Sequence, residues 1–357
     1  LYFENKHLLD RAVVLYHKGK NVKKAMDLCF QSNNYDYLRS LVDDLGEEED
    51  PDTLLRVAEY FLDQNMYEKA VSLLVSAKQY SRALELSLSY NVKVDDNLVE
   101  KMIPQSSDPQ SKELLRRICK LCKRQGSFQL ACKLYTKLGE KLKGFKCLLR
   151  LGDVDRIKQF ANTAKNSQIY VLAANFLQNS DWHNNPELMK TIIFFYTKAK
   201  AWDSLATFFD TCASLEIDEY RDYEKAVYAE KEALKYQAKS TSPNRDQNFQ
   251  SLQRKLELME LFVLARKMAT SDPQEMQRIC MQLLETRDSE TAIRIGDLYA
   301  LLVEFYYSYQ DLKSALHYVN AMKQRRIYLN AYLDMEMVKN IHRGMGVQFE
   351  QDEDDLE

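Results

Sequence analysis

The chain has 357 residues, and only 9 Gly and 6 Pro punctuate it, too few turn residues for a sandwich, a barrel or a doubly wound sheet. Hydrophobic residues at 45% supply a core and charged residues at 29% a wide solvated surface, the balance of an elongated helical stack. A net charge of -3 offers no global attraction to phosphate backbones, so no nucleic-acid partner is expected. No apolar run reaches the ~18 residues of a membrane span. No cleavable leader and no Asn-x-Ser/Thr sequon occur either, which points to a cytosolic protein.

In chain order, helical periodicity predicts short helices at 8–18, 21–32, 35–45, 52–64, 67–77 and 80–90. A looser connection runs from Asp95 to Pro109. Further short helices follow at 109–125, 128–138, 141–151, 154–164 and 167–179. Longer segments come next, at 187–199, 201–216, 219–239, 246–271, 273–286, 288–309, 312–325 and 329–343. Asn185-Pro186, Ser242-Pro243-Asn244 and Asp272-Pro273 act as breakers. The chain opens inside a helical pattern without a cap and is expected to be part of something longer. This division predicts short-helix repeats over 1–180, a continuing solenoid with longer helices over 181–346, and a disordered acidic tail over 347–357, ending Gln351-Asp-Glu-Asp-Asp-Leu-Glu357.

A repeated unit underlies the map: a large apolar residue, two variable ones, Ala, apolar, variable, apolar. Leu9-Asp-Arg-Ala12-Val-Val-Leu15, Tyr67-Glu-Lys-Ala70-Val-Ser-Leu73 and Tyr80-Ser-Arg-Ala83-Leu-Glu-Leu86 carry it, as do segments centred on Ala25, Ala131 and Ala315. Small residues recur 13 apart, as in Ala12 and Ala25, Ala70 and Ala83, Ala131 and Gly144. That interval is one short helix and a tight link of about two residues, so consecutive helices run antiparallel. One stretch fits a full tetratricopeptide (TPR) unit, with Leu54, Val57, Ala58 and Phe61 on its first helix and Ala70, Leu74 and Ala77 on its second. Arg82 stands where the closing proline belongs, so the repeat is degenerate. The predicted fold is an all-α, right-handed α-solenoid of antiparallel helix pairs.

Catalytic and metal motifs have weak support. Cys119-Lys-Leu-Cys122 has ligand spacing, yet both residues fall on core positions, and the seven cysteines are expected to be reduced. The histidines His7, His17, His183, His317 and His342 show no paired-ligand spacing. No phosphate loop or nucleophile elbow is present, and Gly344-Met-Gly346 reads as a helix C-cap. No catalytic, cofactor-binding or metal-ligating residue is assigned, and no cofactor is expected. Arg116, Lys120 and Arg124, and Lys323, Arg325 and Arg326, read as solvated faces with cations near helix C-termini. Most of the 22 tyrosines, among them Tyr67, Tyr80, Tyr135 and Tyr196, stand where a repeat needs a large inward residue.

Several strings resemble one family. Ile169-Tyr-Val-Leu-Ala-Ala-Asn-Phe-Leu-Gln178, Glu216-Ile-Asp-Glu-Tyr220, Ile293-Arg-Ile-Gly-Asp-Leu-Tyr299 and His342-Arg-Gly-Met-Gly346 are similar to segments in the TPR-type solenoids of the large subunits of intraflagellar transport complex A. Those subunits also carry N-terminal propellers, and this chain resembles only the part that follows them. The resemblance implies a cytoplasmic and ciliary scaffold (cilium, basal body, axoneme) in retrograde transport and entry of membrane cargo. Its implied partners are the other complex A subunits and ciliary cargo adaptors, and it brings no catalytic residues. Three other readings stay open: a vesicle-coat or sorting solenoid, a helical enzyme domain with clustered titratable groups, and an RNA-reading repeat with a basic channel.

Overall fold

The computed structural model describes residue 3 and residues 8–42, 50–105 and 108–348. The predicted acidic tail 351–357 and His7 lie outside the described residues. The described chain is helical throughout, and it forms two compact units that divide between Ile169 and Tyr170.

The first unit runs through α1 (Leu9–Lys18), α2 (Val22–Ser32), α3 (Tyr35–Val42), α4 (Pro51–Asp63), α5 (Tyr67–Ser76), α6 (Tyr80–Ser89), α7 (Asp96–Lys101), α8 (Pro109–Gln125), α9 (Phe128–Lys137), α10 (Lys141–Leu151) and α11 (Val154–Ala164). The division falls within α12 (Ser167–Leu177). The second unit continues through α13 (Pro186–Ala199), α14 (Trp202–Asp218), α15 (Tyr223–Gln237), α16 (Arg245–Ser271), α17 (Pro273–Glu285), α18 (Ile295–Ser308), α19 (Leu312–Gln324) and α20 (Met335–Gly344).

Proline marks helix starts. Pro51, Pro109, Pro186 and Pro273 each occupy a first turn, where a missing N–H costs nothing. The side chains of Asp108, Asn185 and Asp272 accept from backbone N–H groups of Ser111, Leu188 and Glu275. Each such cap is worth about 1 kcal/mol. Helix ends follow one scheme. A left-handed residue closes the helix, and the next backbone N–H bonds the carbonyl five positions back. Examples are Lys20 with Asn21 N–H to Tyr16 O, Asn65 with Met66 N–H to Phe61 O, and Lys78 with Gln79 N–H to Leu74 O. Gly139 and Gln310 repeat it, with Glu140 N–H to Tyr135 O and Asp311 N–H to Tyr306 O. These turns place consecutive helices antiparallel with links of two or three residues.

The repeat positions form the core. Leu54, Val57, Ala58, Phe61, Ala70 and Leu74 are wholly buried, and Ala12, Ala25, Ala83, Ala131 and Ala315 are buried with them. Burying a side chain such as Phe61 contributes roughly 2–3 kcal/mol. Gly144 shows why the central residue is small: a Cβ there would stand 3.2 Å from the Cys132 carbonyl oxygen on α9. Tyr135 and Tyr196 are buried, whereas Tyr67 and Tyr80 are half-buried.

Three expectations need correction. The loose connection after Asp95 contains the short helix α7, pinned by buried Val99 and Met102. The single helix expected at 288–309 is a 3₁₀ turn, Arg287–Thr291, then α18; that at 329–343 is a 3₁₀ turn, Leu329–Ala331, then α20. In the first, the buried Ser289 hydroxyl donates to the Leu283 carbonyl at 2.7 Å and tightens the chain. The C-cap reading of Gly344-Met-Gly346 also shifts: Gly344 is the last helical residue and Gly346, at φ 66°, makes the turn.

Candidate interaction surfaces

In the second unit, the family-like strings meet in one polar junction. Tyr223 at the start of α15 is buried, and its hydroxyl donates to Asp297 Oδ2 at 2.7 Å while accepting from the Arg294 backbone N–H at 3.1 Å. Burial, then the adjacent Asp297 charge, pushes its phenol far above the ordinary value. Arg294 Nη1 donates to the Asp218 carbonyl at 2.6 Å, and its Nε and Nη2 donate to the Tyr332 hydroxyl at 3.2 and 3.0 Å. The Tyr332 ring lies beneath two cations, with the Arg221 and Arg294 guanidinium carbons 4.7 and 5.2 Å from its centroid. Arg221 also donates to the Ala331 carbonyl. Gly296 makes room for this ring, because a Cβ there would stand 2.4 Å from it. Beside the junction, a polar cleft of about 510 Å³ is lined by Tyr220, Arg221, Glu224, Arg266 and Lys267.

A second polar group lies inside the same unit. Glu230 has no exposed surface, and neither carboxyl oxygen has a hydrogen-bond partner among the described residues. Burial raises its pKa to about 7; Lys255 nearby opposes the rise and Asp210 adds to it. Lys255 is already bonded to Asp210 and, at 3.1 Å, to the Ser214 hydroxyl. The carboxyl sits on the apolar stripe of α15 with Tyr223, Ala226, Ala233 and Gln237, all buried.

In the first unit, Cys119 and Cys122 are wholly buried on α8, and burial pushes both thiols up to about 12. The thiolate that a metal or a redox partner needs is thereby disfavoured. Among the described residues, no group of three or more His, Cys, Asp or Glu side chains could hold a metal ion. Arg116, singled out in the basic run, is held by Glu140 at 2.9 Å and Glu113 at 3.3 Å. Arg124 donates to the Leu88 carbonyl at 2.8 Å. Arg325 lies 3.6 Å from Glu290 and over the Tyr299 ring.

A groove of about 360 Å³ opens along α9, α10 and α11. Leu148, Leu151, Phe160 and Ala164 give it an apolar floor, and Leu151 is 41% exposed. Lys133, Lys141 and Arg156 stand among its lining residues, and no acidic residue does. The sequence reading did not find this groove, since each of its apolar residues also fits a core position.

Antiparallel helix hairpins, each packed on its chain neighbours and carrying an open groove and a cleft, define a helical-repeat protein that presents surfaces to other molecules. The chain belongs to the IFT140/IFT172 TPR domain family, which matches residues 1–195, and the IFT140 C-terminal TPR domain family matches residues 203–323. An IFT140-type TPR region bears out the resemblance drawn from the 216–220 and 293–299 strings. Among solved structures, a circular tandem repeat protein with novel repeat topology and enhanced subunit contact surfaces is 17% identical. The match covers 95% of this chain and 89% of that one at a TM-score of 0.17, too low to carry an argument. No described helix is long and apolar enough to cross a membrane.

Proposed function

We propose that the chain is a non-catalytic scaffold of ciliary transport, acting as a core part of intraflagellar transport complex A in retrograde movement and the entry of membrane cargo. The observation that carries this reading is the run of IFT140-type repeat domains through both units, residues 1–195 and 203–323. Repeat domains of this class hold partners on their surfaces, and the family points to a scaffold rather than an enzyme. On this reading the protein works in the cytoplasm and the cilium, and its partners are the sister subunits and cargo adaptors.

The test is affinity purification of the tagged chain from ciliated cells under mild conditions, with the bound proteins identified by mass spectrometry. Complex A subunits recovered above an untagged control support the reading. Recovery of vesicle-coat or sorting-complex subunits in their place would move the chain to that class of solenoid.

A further inference from the structure

We infer that the groove along α9, α10 and α11 is a docking site for an acidic amphipathic helix of a partner protein. This rests on the scaffold reading and adds the chemistry of one surface. Charge is the first argument. Residues 109–165 hold fifteen Lys and Arg against four Asp and Glu, within a chain whose net charge is -3. Part of that charge is used internally. Glu140 takes Arg116 and Lys143, and Asp153 takes Arg156. Lys133 and Lys141, both exposed on the groove, make no ion pair with any described residue. An acidic ligand gains these two cations without displacing an internal partner.

The floor is the second argument. Leu151, 41% exposed, and half-buried Phe160 offer apolar surface. At about 360 Å³ the groove falls near the lower end of the range for ligand pockets, roughly 300–1,000 Å³. Phe160 is braced by Phe145, with ring centroids 5.5 Å apart, so this part of the floor is preformed. A nucleic acid is a poor match, since the floor is mainly aliphatic and gives bases no row of stacking rings. The third argument is backbone chemistry. Among the described residues there is no strand to extend, so a bound peptide cannot gain main-chain bonds by strand addition and must satisfy its own backbone as a helix. Apolar residues at i, i+3, i+4 and i+7 would enter the groove, with Asp or Glu flanking them toward Lys133 and Lys141.

The test selects random peptides of about sixteen residues, some four helical turns, from a displayed library on the immobilised full chain. Selection is repeated on Lys133→Glu/Lys141→Glu, on Leu151→Asp and on Lys112→Glu/Lys120→Glu. The last pair lies on α8 in the same basic stretch and outside the groove lining. The expected result is enrichment of acidic peptides with helical apolar spacing on the parent chain. A selected peptide should lose about tenfold in affinity on each groove variant by fluorescence anisotropy and little on the α8 pair. Absence of that enrichment, or equal loss on both charge-reversed pairs, overturns the proposal. So does binding of phosphatidylserine vesicles, abolished by the groove variants, without peptide selection. Complex A subunits recovered with all variants while peptide selection fails would refute the groove and leave the scaffold reading standing.

Discussion

Replacing Glu230 by Gln tests the buried carboxyl by removing its charge at nearly constant shape. In the unfolded chain the group titrates near 4.5, and in the folded chain near 7. Between those values the folded protein holds a proton that the unfolded chain has lost, so stability falls as pH rises through that window. Below about 4.5 both states are protonated and the penalty is absent; above about 7 both are ionised and it is complete. A gap of about 2.5 in pH, at roughly 1.4 kcal/mol for each, gives a penalty of about 3 kcal/mol at pH 8. The variant keeps a buried amide, which costs part of the gain, so Glu230→Gln should be about 1–3 kcal/mol more stable at pH 8 and nearly equal at pH 5. The chain's two tryptophans, Trp182 and Trp202, both lie in the unit that holds Glu230. Urea unfolding followed by tryptophan emission therefore reads that unit. Parallel stability profiles for the two proteins between pH 5 and 8 would refute the reasoning.

Other outcomes follow from the geometry already described. Gly296→Ala drives a methyl group into the Tyr332 ring and should cost about 2 kcal/mol or more; in a double-mutant cycle, Tyr332→Ala should recover part of that loss. Lys78, at φ 60°, stands in the left-handed region, so Lys78→Gly should be stabilising by up to about 1 kcal/mol. Gly139, at φ 79° with nothing within 4 Å of its added Cβ, isolates the same backbone effect, and Gly139→Ala should cost about 1 kcal/mol in urea unfolding. At pH 8 a thiol reagent should label Cys132, half-buried, well before wholly buried Cys119, Cys122 and Cys280, whose thiols are pushed up to about 12. Mass spectrometry counts the adducts, and comparable early labelling of all four would contradict the burial argument.

Local periodicity made most of the helices legible. Leu54, Val57, Ala58 and Phe61 carry their spacing in adjacent residues, and Asp272-Pro273 announces its helix start chemically. The turns were harder to read. Lys20, Asn65, Lys78 and Gln310 take the left-handed conformation usually given to glycine, so counting glycines hides them. The polar junction was visible only through resemblance, because Arg294 depends on Tyr332, 38 residues further on. Glu230 did leave a local trace. It occupies the same helical stripe as Tyr223, Ala226 and Ala233, and an acid on such a stripe is as informative as a gap in it. The groove left none, since the exposure of Leu151 depends on how neighbouring helices meet.

The short, left-handed turns also bear on how the chain is made. Each joins two helices whose apolar faces meet within some thirty residues of chain, so a hairpin can bury its core soon after its second helix leaves the ribosome. Closing such short loops costs little entropy, and local contacts favour fast folding. Synthesis therefore adds to an already folded edge, and the face awaiting its next neighbour is about one helix wide at any moment. A long repeat protein that must later meet large partners is thus spared from holding extensive unfolded apolar surface while it is being built.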